Sequence, residues 1–336
     1  MTKFTDIFED VTKQGTKIPT NLYLETGMYP IIDQGQSAIA GYTDETDGLF
    51  TDVPAIIFGD HTRIIKYVDT PCFLGADGVK LLKAKDPTAN YKYLYYALCN
   101  ADIPNTGYNR HFKWLKEIEI AECSIEERNS IVAQLEKIDT LIHLRKQQLS
   151  KLDELVKSRF IEMFDGKGYP KLKWNEVFNT TTGKLDSNAM VADGKYPFFT
   201  CAKEIFRIDK YAFDQEALLL AGNNAAGKYD VKYYKGKFNA YQRTYVLGLK
   251  QNWSYQLFRY QLEDKLDYLQ QQSLGGLTKY LTIKILGELE FIVPPMDKQD
   301  EFTAFVEQID KSKLAIQQSL EKFEILKKAL MQQYFG

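Results

Sequence analysis

At 336 residues, 44% of them hydrophobic, the chain is long enough for two buried cores. No apolar run is long enough to span a bilayer, and the opening "MTKFTDIFED" lacks signal-peptide character, so a soluble, cytoplasmic protein is expected. The net charge of −2 points to no partner by itself, and four cysteines without a C-x-x-C pair, beside three scattered histidines, argue against a zinc site.

In chain order, "KFTDIF" (3–8), "YPII" (29–32), "AIIFGD" (55–60) and "GVKLLK" (78–83) are short aromatic or β-branched runs separated by turn signals such as "GQS" and "DETDG". They predict strands, and "NYKYLYYAL" (90–98) predicts one helix near the end of a compact mixed α/β globule. This first segment, residues 1–115, holds 11 basic and 14 acidic residues, a net of −3.

A long helix follows. Ser124 with Glu127 three residues on forms a capping-box signature. Apolar residues then keep a heptad: Ile131, Leu135, Ile138, Ile142, Leu149, Leu152, Val156 and Met163, with Arg145 and Arg159 at intervening seam sites. At about 38 residues it would run roughly 57 Å.

In the second half, "LLLAGNNAAGKYD" (218–230) resembles the phosphate-binding G-x-x-x-x-G-K-[ST] loop in every position but the last, where Tyr229 replaces the magnesium-binding hydroxyl. The continuation is rich in Tyr, Val and Phe, which predicts a further strand where a phosphate loop must open a helix. A lysine-bearing hairpin turn is the reading that fits. Residues 167–287 hold 18 basic and 11 acidic residues, a net of +7, with Lys228, Lys232, Lys235, Lys237 and Arg243 concentrated in one stretch suited to phosphate. The chain ends in a second heptad run: Phe302, Val306, Ile309, Lys313, Ile316, Leu320, Phe323, Lys327, Leu330 and Tyr334.

The chain is written twice. "KFTDIF" returns as "KWNEVF" (173–178), "YPII" as "YPFF" (196–199), "AIIFGD" as "LLLAGN" (218–223) and "GVKLLK" as "YVLGLK" (245–250). "NYKYLYYAL" returns as "SYQLFRYQL" (254–262) and "EIEI" (117–120) as "ELEF" (288–291). The first copy has no phosphate-loop pattern at the equivalent turn, "GDHTRIIKY", which argues against that reading in the second. The expected architecture is α+β: mixed domains at 1–121 and 167–293, separated by helices at 122–166 and 294–336 that pair antiparallel under an internal pseudo-twofold repeat. Seam residues Arg145, Arg159, Lys313 and Lys327 either pair with neighbouring acids or mark an opening towards a partner helix.

Over essentially its full length the sequence resembles the specificity subunits of Type I restriction–modification systems. The resemblance is carried by "YPIIDQGQSAIAGY" (29–42), "GYNRHFKWLKEIEI" (107–120) and "GGLTKYLTIKILGELEFIVPPMDKQDEF" (275–302). It departs at Glu122-Cys123, where the first copy lacks the proline pair. The resemblance implies a non-catalytic subunit reading a split target in double-stranded DNA, one half-site per domain. It implies two docked methyltransferase subunits and, in some systems, a motor-nuclease subunit, those partners binding S-adenosylmethionine and ATP. It implies no cofactor or metal on this chain and no membrane. The alternative is a structural adaptor whose coiled coil spaces two ligand-binding heads.

Direct readout needs Arg or Lys for guanine and Asn or Gln for adenine on loops that reach base edges. The candidates are Gln34, Gln36, His61, Arg63, Asn109, Arg110 and His111 in the first copy. In the second they are Lys203, Asn223, Asn224, Tyr241, Gln242, Arg243, Thr278 and Lys279, with Lys228, Lys232, Lys235 and Lys237 as phosphate contacts. Each could instead cap a turn or pair internally.

Overall fold

Runs such as Ala55-Ile56-Ile57-Phe58 and Ala217-Leu218-Leu219-Leu220 demand strands covered on both faces, because successive side chains point oppositely. A computed structural model, describing residues 1–75, 77–225 and 227–336, shows this arrangement in both halves. Ile56 and Phe58 enter one core with Leu82, Leu94 and Leu98, while Ala55 and Ile57 enter another with Leu74, Val79 and Leu81. Leu218 and Leu220 likewise pack with Phe258, Leu262 and Phe291, and Ala217 and Leu219 with Phe199, Phe238 and Val246.

The chain forms two compact units, residues 1–147 with 317–336, and residues 148–316. In the first, a four-stranded sheet has the order Phe8–Asp10, Val79–Ala84, Ala55–Gly59, Ile65–Val68. A three-stranded sheet sets Tyr29–Ile32 between Gly41–Thr43 and Phe73–Leu74, and Thr2–Lys3 pairs with Glu119–Ile120. The second unit repeats the plan: Phe178–Thr182, Thr244–Leu249, Phe213–Ala221, Val231–Ala240, Tyr196–Phe199 and Phe206–Ile208 form one six-stranded sheet, and Lys171–Lys173 pairs with Glu290–Ile292.

The repeated segments therefore fall on equivalent elements, but the strand that joins the two sheet parts differs. Val231–Ala240 pairs antiparallel with Phe213–Ala221 and parallel with Tyr196–Phe199, as one continuous strand. In the first unit those two pairings belong to separate strands, Ile65–Val68 and Phe73–Leu74. Pro71 lies in the interruption, and proline offers no N–H to a sheet ladder.

Each unit packs a helix on its sheet, Tyr91–Cys99 or Tyr255–Asp264, started by a side chain that accepts from the backbone: Asn90 from Tyr93 N at 3.0 Å, Ser254 from Leu257 N at 3.2 Å. The same caps tie the globules to the long helices. Asn90 donates to Asn129 Oδ1 at 2.9 Å, and Gln299 Oε1 accepts from Ser254 N at 2.9 Å. Gln299, the glutamine after the proline pair, is 1% exposed and also donates to Pro294 O at 2.8 Å.

The long helices are Ile125–Phe164 and Met296–Phe335. The capping box at the first is present, with Glu127 N donating to Ser124 Oγ at 3.2 Å and Ser124 N to Glu127 Oε2 at 2.9 Å. The helices pair antiparallel within each unit. In the first, Tyr334 bonds Gln134 at 3.0 Å, Lys327 meets Asp139 at 2.5 Å and Lys146 meets Glu324 at 3.3 Å, beside buried Val132, Leu135 and Met331. In the second, Lys313 meets Asp153 at 2.5 Å and Arg159 meets Glu301 at 2.6 Å, beside Val156, Met163, Phe302, Val306 and Ile309. The basic seam residues Arg159, Lys313 and Lys327 thus pair with acids across the helices. Among the described residues, no helix is long and apolar enough to cross a membrane.

Candidate nucleic-acid interface

In the first unit, the turn leaving the buried strand Ala55–Gly59 meets the loop before the short helix Phe112–Leu115. Asp60 makes the joint. Its carbonyl accepts from His111 N at 2.8 Å and lies 3.0 Å from His111 Nδ1, and its carboxylate accepts from Phe112 N at 2.8 Å. Gln34 joins from a third loop, its Oε1 accepting from His61 N at 3.2 Å and its Nε2 donating to Asp77 O at 3.1 Å. Thr62 Oγ1 donates to Gln34 O at 2.6 Å, and His61 Nδ1 sits 3.2 Å from Asn109 O. Gln34, His61, Asn109 and His111 are thereby brought together.

Lys66 supports this cluster from beneath, donating to Ser37 O at 2.6 Å and to Asp33 at 3.3 Å, so that the Gln34 loop is held at both ends. Burial pushes the Lys66 pKa below its ordinary value, against the opposing pull of Asp33. Nearby, the Lys17 ammonium hydrogen-bonded to Asp77 at 2.7 Å holds that carboxyl below the ordinary aspartate range, and the charge of Arg110 adds to the effect. Arg110 and Asn109 are exposed.

Three first-unit candidates lie otherwise than a base reader requires. His111 is 0% exposed, so its imidazole shapes the loop and presents no edge outward; its ring nitrogens find Asp60 O and the Thr106 region. Arg63 takes a left-handed backbone conformation, φ 62°, and turns its guanidinium back to donate to Ile103 O at 2.9 Å. Gln36 is exposed but lines a different groove, about 810 Å³, with Lys66, Tyr67, Tyr95 and Tyr96.

The second unit builds the equivalent joint by strand pairing. Asn223 pairs with Tyr280 and Asn224 with Lys279, while Leu281 N donates to Gly222 O at 2.8 Å, just before the short helix Ile283–Gly287. Gly222 N donates to Arg243 O at 2.8 Å, bringing in the exposed Arg243 and Gln242 and the half-buried Tyr241. Lys228 is exposed, with its N–H directed to Asn224 Oδ1 at 3.3 Å. Gly227 lies between them at φ +68°, a turn conformation that explains the glycine without any phosphate. Of the "LLLAGNNAAGK" segment, whose position 226 lies outside the described residues, 218–221 end the strand Phe213–Ala221, which pairs antiparallel with Val231–Ala240 beyond it, so strand follows strand as the repeat required.

The four lysines expected to share phosphate contacts do not act as one group. Lys232 donates to Ala202 O at 2.9 Å beside exposed Lys203 and pairs with Asp230, leaving its side chain 13% exposed. Lys235 and Lys237 lie on the strand opposite Glu216 and Asp214 and pair with them at 3.1 and 3.9 Å. Cross-strand neighbours of opposite charge satisfy one another. Thr278 is exposed, and Lys279 lays its stem over Gly227.

Tyr108 and Leu277 are absent from the candidates drawn from sequence, yet stand at the tips of these loops, 87% and 96% exposed. Their signal in the sequence was an apolar residue between a glycine and polar neighbours in "GYNRH" and "GGLTK".

The family model of the Type I restriction modification DNA specificity domain matches residues 1–154 and 167–325. The Type I restriction enzyme EcoDI specificity subunit of Escherichia coli is 35% identical over 150 residues, 43% of this chain and 32% of that relative. The EcoR124I/EcoR124II specificity subunit of Escherichia coli is 28% identical over 146 residues, 38% of this chain and 36% of that relative. The matched stretches thus span about a third of these curated relatives. The crystal structure of the Type I restriction–modification S subunit from M. genitalium shares the fold, with TM-score 0.61 and 18% identity over 100% of this chain and 99% of that one. With the domain model matching twice over nearly the whole sequence, the chain belongs to the Type I restriction–modification DNA specificity family.

Proposed function

We propose that the chain is the DNA-specificity subunit of a Type I restriction–modification complex and reads a bipartite target in double-stranded DNA. Residues 1–121 and 167–293 are the two recognition domains, each serving one half-site. The helices at 122–166 and 294–336 space them and carry two methyltransferase subunits, with a motor-nuclease subunit added where the system also cuts. Chemistry, S-adenosylmethionine and ATP belong to those partners, and this chain is non-catalytic.

The observation that carries this reading is the equivalence of the two loop clusters. Both hang a turn that leaves a buried strand against the loop before a short helix, through backbone bonds from His111 N to Asp60 O and from Leu281 N to Gly222 O. The framework is the same, but the side chains it carries differ: half-buried Gln34 and His61 with exposed Asn109 and Arg110 in one, half-buried Asn223, Asn224 and Lys279 with exposed Lys228, Arg243 and Thr278 in the other. Amides and basic groups on rigidly joined loops are what base-edge readout uses. One scaffold carrying two different sets of readers suits two unlike half-sites.

Sequencing methylated bases in host DNA, with and without an intact copy of this chain, tests the reading. Loss of one bipartite motif is the expected result. An unchanged methylome overturns it and favours an adaptor.

A further inference from the structure

Both loop tips hold an apolar side chain in solvent, and neither tip is slack. The Tyr108 ring stacks on His61, centroids 4.7 Å apart and planes within 8°. His61 is fixed by Asn109 O, and Asn109 Nδ2 donates back to Thr106 O at 2.5 Å, so the turn is tied on both sides of the tyrosine. One face of the ring is covered by imidazole, yet the side chain remains 87% exposed. In the second unit, Gly275 takes φ +106°, where a Cβ would lie 2.2 Å from Thr278 O; that close turn sends Leu277 outward, 96% exposed.

Held at a fixed loop tip beside exposed amides and cations, an apolar group is placed to meet an apolar partner on whatever those polar groups bind. In the major groove of DNA the base edges offer one, the C5-methyl of thymine, and hydrogen-bonding side chains alone leave it unread. We propose that Tyr108 and Leu277 each pack against a thymine methyl in their own half-site, beside the hydrogen bonds made by neighbours such as Asn109 and Lys279. This rests on the DNA-reading role proposed above. It makes the loop tips specificity-determining residues for an A·T pair in each half-site.

The test uses the full chain assembled with the modification subunits of its host, and duplexes in which each thymine of the target is replaced in turn by deoxyuridine, which lacks only the methyl. Wild type loses about fourfold in affinity at one position per half-site, the worth of one buried methyl. Tyr108→Ala lowers affinity by a similar factor and abolishes the response at the first position only; Leu277→Ala does so at the second only. Tyr108→Phe keeps the response, and unchanged thermal unfolding of all three variants shows the fold intact. A wild type indifferent to every replacement, or a Tyr108→Ala protein that keeps its response, overturns the methyl contact while DNA reading stands. Equal weakening on all duplexes also overturns it and makes the tips wedges between base steps. Absence of any sequence-selective binding by the wild-type complex sinks the DNA-reading role itself, and this inference with it.

Discussion

Lys327 reaches from the second long helix to Asp139 on the first, its Nζ 2.5 Å from the carboxylate, which also accepts from the Tyr96 hydroxyl at 2.9 Å. Lys327 occupies a heptad position, but the two side chains are 33% and 36% exposed, so solvent screens much of their attraction. One turn away, Leu135 is 0% exposed in the core shared by the globule and both helices. Leu135→Ala is expected to cost about 2–5 kcal/mol, and Lys327→Ala about 1 kcal/mol or less. Urea unfolding of the two variants checks this ordering. Equal costs would show that charge, and not apolar packing, holds the seam.

A second prediction concerns acid. The Lys298 ammonium, hydrogen-bonded to Glu301 at 2.7 Å, and then Arg159 across the seam at 2.6 Å, hold the Glu301 carboxyl below its ordinary value of 4.5. A carboxylate with a lowered folded-state pKa adds stability that is fully present above the unfolded value and is lost as pH falls through the folded one. Thermal unfolding followed from pH 7 down through the region of 4.5 and below should therefore show a loss that Glu301→Gln reduces. An identical acid limb in wild type and variant would remove Glu301 from the account.

Much of the fold was legible because repetition supplied a second reading of each segment. The buried runs, the capping box at Ser124 and the seam from Ile131 to Tyr334 follow from periodicity, which survives without knowledge of contacts. The glycine-lysine turn at 222–228 was settled by its plainer twin at 59–66. The site was less legible, because exposure depends on partners distant in sequence. Nothing in "NRHF" says that His111 turns inward; it does so because Asp60, far back in the chain, offers its carbonyl. Lys235 and Lys237 read as part of a basic turn until strand register sets them opposite Glu216 and Asp214.

That register yields a third prediction. Lys228 is exposed in the second unit's turn beside Lys279, whereas Lys235 is already paired on the strand. Each lysine that neutralises a phosphate steepens the fall of affinity with salt by about one unit of log–log slope. Lys228→Ala should lower the magnitude of that slope by about 1 without changing the preferred sequence. Lys235→Ala should leave the slope where it is. Binding isotherms across a salt series decide the matter. A slope moved by Lys235→Ala alone would mean that its bond to Glu216 gives way to DNA.

The last prediction concerns where one recognition domain can be exchanged for another. The start of the first domain lies against its end: Thr2 pairs with Ile120, Lys3 with Glu119, and Phe4 N donates to Ile118 O at 3.0 Å. A segment whose two ends are hydrogen-bonded neighbours can be replaced as a block without re-routing the chain. The block must include both strands of that pair. Exchange of residues 1–121 for the matching segment of a relative should therefore change one half-site of the methylated motif and keep the other. Exchange of residues 1–115 divides the pair, leaving a foreign first strand against the native Glu119–Ile120 and a foreign backbone donor at position 4 against the native Ile118 carbonyl. That chimera should unfold at lower temperature and methylate less, even where its new half-site is read correctly. Methylome sequencing of both chimeras, with thermal unfolding of the purified proteins, separates the two effects. If the 1–121 exchange alters both half-sites, the domains do not read independently.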